Sequence, residues 1–508
     1  MRTALLLALV ACNPDKGTPP ADTASVPAAA EPWRLVDHVD PAIGSGGIGY
    51  NVGCGYPGAN LPNGLVKLSP DTADRSGASF GAYRGGGYHA DDIYIQGFSH
   101  MHLYAVGLTD YGLVGVMPVD GMTADKTVEA GYRAEMDKAT ETSVPGRYSV
   151  ELMEPAVSAE LSATAHTGVH SYTFAPSVDD PTLLIDLGHV MDGSEVRAAA
   201  IALDPENGTF SGWMHYQGGM ARKPFTVWLD GVVWPPPTEV GVWDEEGVLQ
   251  PGVRSAEAER DGLRLGGWMS FDAETVEVQV GISTVDAEGA AANLAAQRVV
   301  DLDAAAEAAW QTWDDTLGAI EVAGGEEDDR IKYASAVYHS LQMPTLFSDV
   351  DLRYRGFDQE IHQGDRPYYT DFSLWDTYRT LHPLYTAHWP ELHADTLQSL
   401  GLMVEQGGTL PRWPLATWDG GFMVGLPASI VVAEADLKGV EGWDADALLA
   451  HALAISQGEV EMPYGAPPDV RLLDEYGYYP EDLVGRSVAN TQEIAIADHA
   501  LAEALAAR

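Results

Sequence analysis

At 508 residues the chain exceeds the roughly 100–200 residues of one compact domain and is long enough to bury a sizeable core in two or three. Only 28 Lys and Arg stand against 75 Asp and Glu, and the formal charge of −47 repels phosphate backbones and anionic headgroups, which excludes a nucleic-acid partner. Gly (54) and Pro (31) stay below the roughly 25–30% of low-complexity disorder, and a 45% hydrophobic content is ordinary for a folded chain, so the acidity belongs to a solvated surface.

The chain opens with a short basic start, Met1-Arg2-Thr3, followed by eight apolar residues from Ala4 to Ala11. Eight residues cannot cross a ~30 Å hydrocarbon core, which takes about 20, so residues 1–12 read as an export signal. Leu9-Val10-Ala11-Cys12 resembles the lipobox of bacterial lipoproteins, in which the cysteine is acylated. This implies lipidation of Cys12, membrane anchoring, and a place in the bacterial cell envelope, periplasmic or at the cell surface. Cys54 is then alone and can form no intramolecular disulfide. Residues 13–32 lack aromatics and read as a disordered tether, holding the globule at about 25 Å.

From 33 to 286 the pattern has period two. Tyr148, Val150 and Leu152 alternate with polar neighbours, as do Val276, Val278, Val280 and Ile282. Such segments between Gly, Pro and Asp turns predict an antiparallel β-sandwich. Beyond Ala287 the period becomes helical: Trp310, Trp313 and Leu317 mark a helical linker over 287–326, with Trp310 expected on its buried face. Ile331, Ala334, Tyr338 and Leu341, then Leu397, Leu400, Met403 and Val404, mark a helical domain over 327–508. Asp444 and Asn490 read as N-caps, the latter with Glu493 completing a capping box. The last helix carries Ile494, Ala497, Leu501 and Leu505 on one face. Six or seven helices are expected where large toroids use about twice as many, so the domain is either small or part of a toroid.

Several motifs fail their context. Gly44-Ser45-Gly46-Gly47-Ile48-Gly49 matches a dinucleotide fingerprint, but residues 51–58 hold three glycines and a proline where a helix is needed. Arg84-Gly85-Gly86-Gly87 lacks the Lys-Ser/Thr of a phosphate loop. His100 and His102 would share one face of a strand, but no third ligand is suitably spaced, so hydrogen-bonded histidines are favoured over zinc. Asp349 and Asp351 begin like a calcium loop, yet Tyr354 stands where an EF-hand needs glycine.

The stretch 368–439 packs Trp375, Trp389, Trp413 and Trp418 and Tyr368, Tyr369, Tyr378 and Tyr385 among Asp371, Asp376, Asp395 and Asp419, with Arg379 and Arg412. Sugars present apolar C–H faces and a rim of hydroxyls, which aromatic platforms and carboxylates match. Composition alone favours a core role for the aromatics and a helical Asp376–Arg379 pair at i,i+3.

Residues 35–120 and 330–440 resemble glycoside hydrolase family 92, bacterial exo-acting α-mannosidases. The resemblance rests on Val39-Asp40-Pro41-Ala42-Ile43-Gly44, Tyr56-Pro57-Gly58-Ala59, Leu68-Ser69-Pro70-Asp71-Thr72 and Gly97-Phe98-Ser99-His100 through His102. It continues through Tyr338-His339, Phe347-Ser348-Asp349, Tyr354-Arg355-Gly356, Ser373-Leu374-Trp375-Asp376-Thr377, the Gly408–Leu415 stretch and Lys438-Gly439. It implies a β-sandwich joined to an (α/α)6 toroid, here partial, with calcium in the active site, inversion at the anomeric carbon and a mannose-containing glycan as substrate. It also implies that Trp375 and Asp376 contact the mannose ring. The family's general acid, general base and most calcium ligands are expected beyond the point matching Arg508, so no catalytic residue or metal ligand is assigned, and the chain is expected to be inactive or weak without that segment. The chain departs from the pattern at 76–86, which lacks a usual tryptophan, and at Leu352, where glycine usually stands. The alternatives are a surface-tethered glycan-binding lipoprotein or pseudoenzyme, and an inverting glycoside phosphorylase, which leaves the two long matches unexplained.

Overall fold

The computed structural model describes residues 31–47, 54–74, 85–104, 108–460, 462 and 468–508. Cys12, the tether as far as residue 30, Ile48 and Gly49 of the glycine motif, and most of the tryptophan-less loop lie outside the described residues. Pro32, assigned to the tether from sequence, is already structured: Pro32–Trp33 pairs with Val322–Ala323. Among the described residues no helix is long and apolar enough to cross a membrane.

Two antiparallel sheets form the first half. The larger runs in the order Ala134–Val144, Arg147–Met153, Ala156–Ala163, Thr167–Phe174, Thr275–Ser283, Phe225–Trp234, Thr209–Gln217, Glu195–Asp204 and Ser255–Glu259. The smaller runs Lys67–Ala73, Tyr94–Ser99, Gly115–Asp120, Pro181–Asp186, Gly266–Ser270, Glu239–Trp243 and Leu249–Pro251. A bridge from Tyr94 and Ile95 to Glu135 and Ala134 joins them. The predicted period is visible in burial: Tyr148, Val150 and Leu152 point inward while their neighbours are half-buried or exposed. Thr275–Ser283 is buried on both faces in its second half, because helix Ala287–Gln297 lies on its outer side. Gly281 permits that approach, since a Cβ there would stand 2.7 Å from Leu294.

Helix Leu302–Leu317 buries Leu302, Ala305, Ala306, Ala309, Trp313 and Leu317. Trp313 is the core tryptophan, fully buried, with its Nε1 donating to Asn60 O at 2.8 Å and its ring 4.2 Å from that of Tyr338. Trp310, expected from sequence to be the buried one, is only half-buried and lies under the Arg34 guanidinium at 4.5 Å. The reason is a turn of phase: the stripe set by Ala306, Ala309 and Trp313 passes beside position 310.

The second half is helical, with its main helices at Glu327–His339, Leu381–His388, Pro390–Gly407, Pro427–Leu437, Ala445–Ser456 and Ser487–Ala507. Asp444 caps its helix, accepting from Ala447 N at 3.0 Å. Asn490 does not: the last helix starts at Ser487 after Arg486, whose φ is +55°, and Asn490 Nδ2 donates to Gly485 O. That helix packs on Pro427–Leu437 through Ile494, Ala497, Leu501 and Ala504, whereas Leu505, placed on this face from sequence, is exposed.

The two halves meet through buried polar contacts. Tyr56 OH donates to Gln342 Oε1 (2.6 Å), Asn63 Nδ2 to Pro344 O (2.8 Å), Lys67 Nζ to Thr345 Oγ1 (2.7 Å) and Tyr111 OH to Asp371 Oδ1 (2.8 Å). Asn293 Nδ2 and Ser283 Oγ both donate to Asp349. Burial pushes Asp349 up to about 6 against these two donors.

Candidate functional site

A cavity of about 680 Å³ opens between the halves. The sandwich side supplies Cys54, Tyr104, Leu108 and Met220, and the helical side supplies Asp371, Phe372, Trp375, Asp376, His382 and Trp413 among others. Apolar and aromatic walls with a few carboxylates are what a sugar's two kinds of surface require.

Local sequence explains how the helical wall is aimed. Leu374 is fully buried and anchors the single-turn helix Leu374–Thr377, so that the next two residues, Trp375 and Asp376, both line the cavity. Asp376 is exposed and accepts from Ser373 Oγ. Arg379 is not its partner: the guanidinium lies 4.4 Å over the Trp375 ring, donates to Trp375 O and pairs with Glu493 of the last helix at 3.1 Å. This leaves the Asp376 carboxylate free of an Arg379 ion pair and locks the indole from behind. Trp413 is fixed edge-to-face with Phe422, with centroids 5.7 Å apart, and its backbone N–H donates to Asp419.

Apart from Asp371, which lines the cavity, most other members of the aromatic-acidic stretch have structural partners. Asp419 closes the Arg412–Gly421 hairpin by accepting three backbone N–H groups, and Asp395 pairs with Arg366. Trp389 donates to Thr316 O, Trp418 lies under Lys223 Nζ at 3.6 Å, and Tyr368 and Tyr385 are fully buried. Tyr104, Met220 and His382 line the cavity with no sequence signal beyond the nearness of Tyr104 to the His100–His102 motif.

Four buried polar atoms without a hydrogen-bond partner belong to residues of this cavity wall: Asp371 Oδ2, Trp375 Nε1, Thr377 Oγ1 and His382 Nδ1. Buried polar atoms are nearly always satisfied, so such a concentration marks where a polar ligand or water would sit. Burial pushes Asp371 up while Lys67 draws it down, and burial lowers Lys67 to about 8 despite Asp371. Burial also lowers His382 well below the usual imidazole range, with His393 adding to the effect, and raises the Cys54 thiol.

The two histidines weighed for zinc go to separate partners. His100 Nδ1 donates to Val114 O at 2.7 Å and its Nε2 meets His170 Nε2 at 3.1 Å. His102 bonds Lys67 O at 2.6 Å and Asp71 Oδ1 at 3.0 Å. Among the described residues no group of three or more His, Cys, Asp or Glu could hold a metal ion. Among the described residues lining the cavity the only carboxylates are Asp371 and Asp376, which fall short of the roughly six to eight oxygens that the calcium implied by the resemblance takes. Leu352, where glycine usually stands, adopts φ +67°, the left-handed conformation that glycine tolerates best.

A β-sandwich and a helical domain thus enclose an aromatic, carboxylate-bearing cavity. The description "Glycosyl hydrolase family 92 N-terminal domain" matches residues 38–283, and "Glycosyl hydrolase family 92 catalytic domain" matches residues 289–507. The chain belongs to glycosyl hydrolase family 92. It is similar to the GH92 α-mannosidase BT3965 of Bacteroides thetaiotaomicron at 25% identity and a TM-score of 0.83, covering 93% of this chain and 62% of that one. The same enzyme in complex with mannoimidazole matches at 25% identity and a TM-score of 0.83, over 93% of this chain and 61% of that one. The inverting mannosidase BT2199 of the same organism shares the fold at 24% identity and a TM-score of 0.82, over 93% of this chain and 62% of that one. The chain thus spans less than two thirds of the length of these relatives. No curated protein sequence matches it.

Proposed function

We propose that the interdomain cavity binds a terminal α-linked mannose of a glycan, and that the chain serves an exo-acting, inverting α-mannoside hydrolase. The observation that carries this reading is the pairing of the Arg379-backed Trp375 with the Asp376 carboxylate on one short turn, in a cavity ringed by unpartnered polar atoms. Trp375 supports the apolar face of the ring and Asp376 accepts hydrogen bonds from its hydroxyls. Family membership and the mannoimidazole complex of BT3965 support the choice of mannose.

Inversion needs one carboxylic acid to protonate the glycosidic oxygen and a carboxylate on the opposite face to activate water, roughly 6.5–9.5 Å apart. Asp376 serves hydroxyl recognition in this reading and Trp375 supports the ring, and neither is the acid or the base. A second reading is glycan binding without turnover, since among the described residues lining the cavity Asp371 and Asp376 are the carboxylates and neither is assigned as acid or base. In either case Cys12 is the lipidated anchor to the cell envelope, and its replacement by Ser is expected to move the protein to the soluble fraction.

Titration calorimetry with mannoimidazole and hydrolysis of an aryl α-mannoside test these readings together. Binding with hydrolysis supports the enzyme, and binding without hydrolysis supports the glycan-binding protein. Failure to bind mannoimidazole at millimolar concentration overturns both.

A further inference from the structure

Three non-glycine residues in the left-handed region converge on one carboxylate oxygen at the cavity wall. Tyr111 (φ +77°) donates its hydroxyl to Asp371 Oδ1 at 2.8 Å, and Ala416 (φ +52°) donates its backbone N–H to the same oxygen at 2.9 Å. Asp371 itself has φ +60°. Left-handed conformations are costly for residues with a Cβ, persist only where the surroundings over-determine them, and concentrate at functional sites. Asp371 is fully buried and lines the cavity, yet its second oxygen, Oδ2, has no partner. Cationic support comes from Lys67, whose Nζ donates to Thr345 Oγ1 while the Thr345 side chain in turn bonds the Asp371 carboxyl. A buried carboxylate that served only as a brace would be expected to use both oxygens, because an unpaired buried acceptor loses its hydration without compensation.

We infer that Asp371 is a further sugar-binding residue, fixed by Tyr111 and Ala416 through Oδ1 so that Oδ2 accepts a hydrogen bond from a hydroxyl of the bound sugar, directly or through one held water. This deepens the mannose-binding reading above and rests on it. Strand pairing of Thr370 with Thr345 sets the height of Asp371 in the wall, and Tyr111 ties that position to the sandwich. The orientation of the sugar would thus depend on both halves of the molecule being docked.

Asp371→Asn is the informative substitution. Its amide carbonyl can replace Oδ1 and accept from Tyr111 and Ala416, while its NH2 replaces the acceptor at Oδ2 by a donor. Mannoimidazole binding by calorimetry is expected to weaken about tenfold or more in Asp371→Asn. Tyr111→Phe, which removes one of the two donors to Oδ1 but leaves Oδ2 in place, is expected to weaken binding less than Asp371→Asn does. Unchanged affinity in Asp371→Asn, or an equal loss in Tyr111→Phe, overturns the inference and makes Asp371 a brace. Should Asp371→Asn fail to fold, a crystal structure of the wild-type chain with mannoimidazole decides. A ligand or water oxygen within hydrogen-bond distance of Oδ2 supports the inference, and an unpartnered Oδ2 beside bound ligand overturns it. Absence of binding by wild type removes the mannose reading and this inference together, whereas binding by wild type with an insensitive Asp371 removes this inference alone.

Discussion

Asp376 and Arg379 stand three residues apart on one turn, and the arginine reaches past the carboxylate to Glu493 and the Trp375 ring. An exposed carboxylate held by one serine contributes little to the fold, so Asp376→Ala should leave the melting temperature nearly unchanged. A hydrogen bond from sugar hydroxyls to a carboxylate is worth about 1.5–3 kcal/mol, so the same substitution should weaken mannoimidazole binding roughly ten- to a hundredfold by calorimetry. A large loss of stability with intact affinity would instead make Asp376 structural. Leu352 poses the opposite case, a side chain that burdens the backbone. It occupies φ +67° and is only half-buried, so Leu352→Gly should raise stability by about 1 kcal/mol in urea unfolding, as relief of the left-handed strain outweighs the lost apolar contact.

Helix Leu302–Leu317 carries two tryptophans with different duties. Trp313→Ala should cost about 3–5 kcal/mol, since it empties a fully buried site and strands Asn60 O, whereas Trp310→Ala removes a half-buried ring under Arg34 and should cost clearly less. Comparable losses in denaturant unfolding would show that the helix is rotated from this packing. The pair also shows how far sequence can be read. Spacing at 310, 313 and 317 reveals a helix, but a stripe about 100° wide leaves its edges undecided, and Trp310 sits at such an edge. Period-two strands were legible because one inward face repeats over many residues, as at Tyr148, Val150 and Leu152. Helix ends were less so: Asn490 looks like a cap, yet a left-handed Arg486 starts the helix one turn earlier. In the site, the Trp375-Asp376 turn was legible through a short motif. Tyr104 and His382 were not, because domain docking brings them to the cavity, and the left-handed backbone of Asp371, itself named in the aromatic-acidic stretch, is announced by no residue type.

Docking also places titrating groups at depths where pH acts on the molecule as a whole. Inside the sandwich, Asp71 accepts from His102 Nε2 at 3.0 Å and from His189 Nε2 at 2.7 Å, all three side chains being buried. Burial alone would raise Asp71 and lower His189. The imidazoles hold Asp71 well below the usual carboxylate range, and Asp71, with Glu129 and Asp186, lifts His189 to about 9. The sign follows from proton counting. Between the unfolded pKa of about 6.5 and the folded value of about 9, the native state holds a proton on His189 that the unfolded chain has released, so stability falls as pH rises through this window. The contribution is fully present below about pH 6.5, and its loss amounts to about 2 kcal/mol by pH 8. Lys67, lowered to about 8, works in the opposite direction only above that pH, because there the unfolded chain is the form that retains the proton. Urea unfolding of the whole chain at intervals from pH 6.5 to 8 should therefore show a steady decline in stability. His189→Gln should flatten that decline while lowering stability at pH 6.5, and an unchanged slope in this variant would place the alkaline sensitivity elsewhere in the fold.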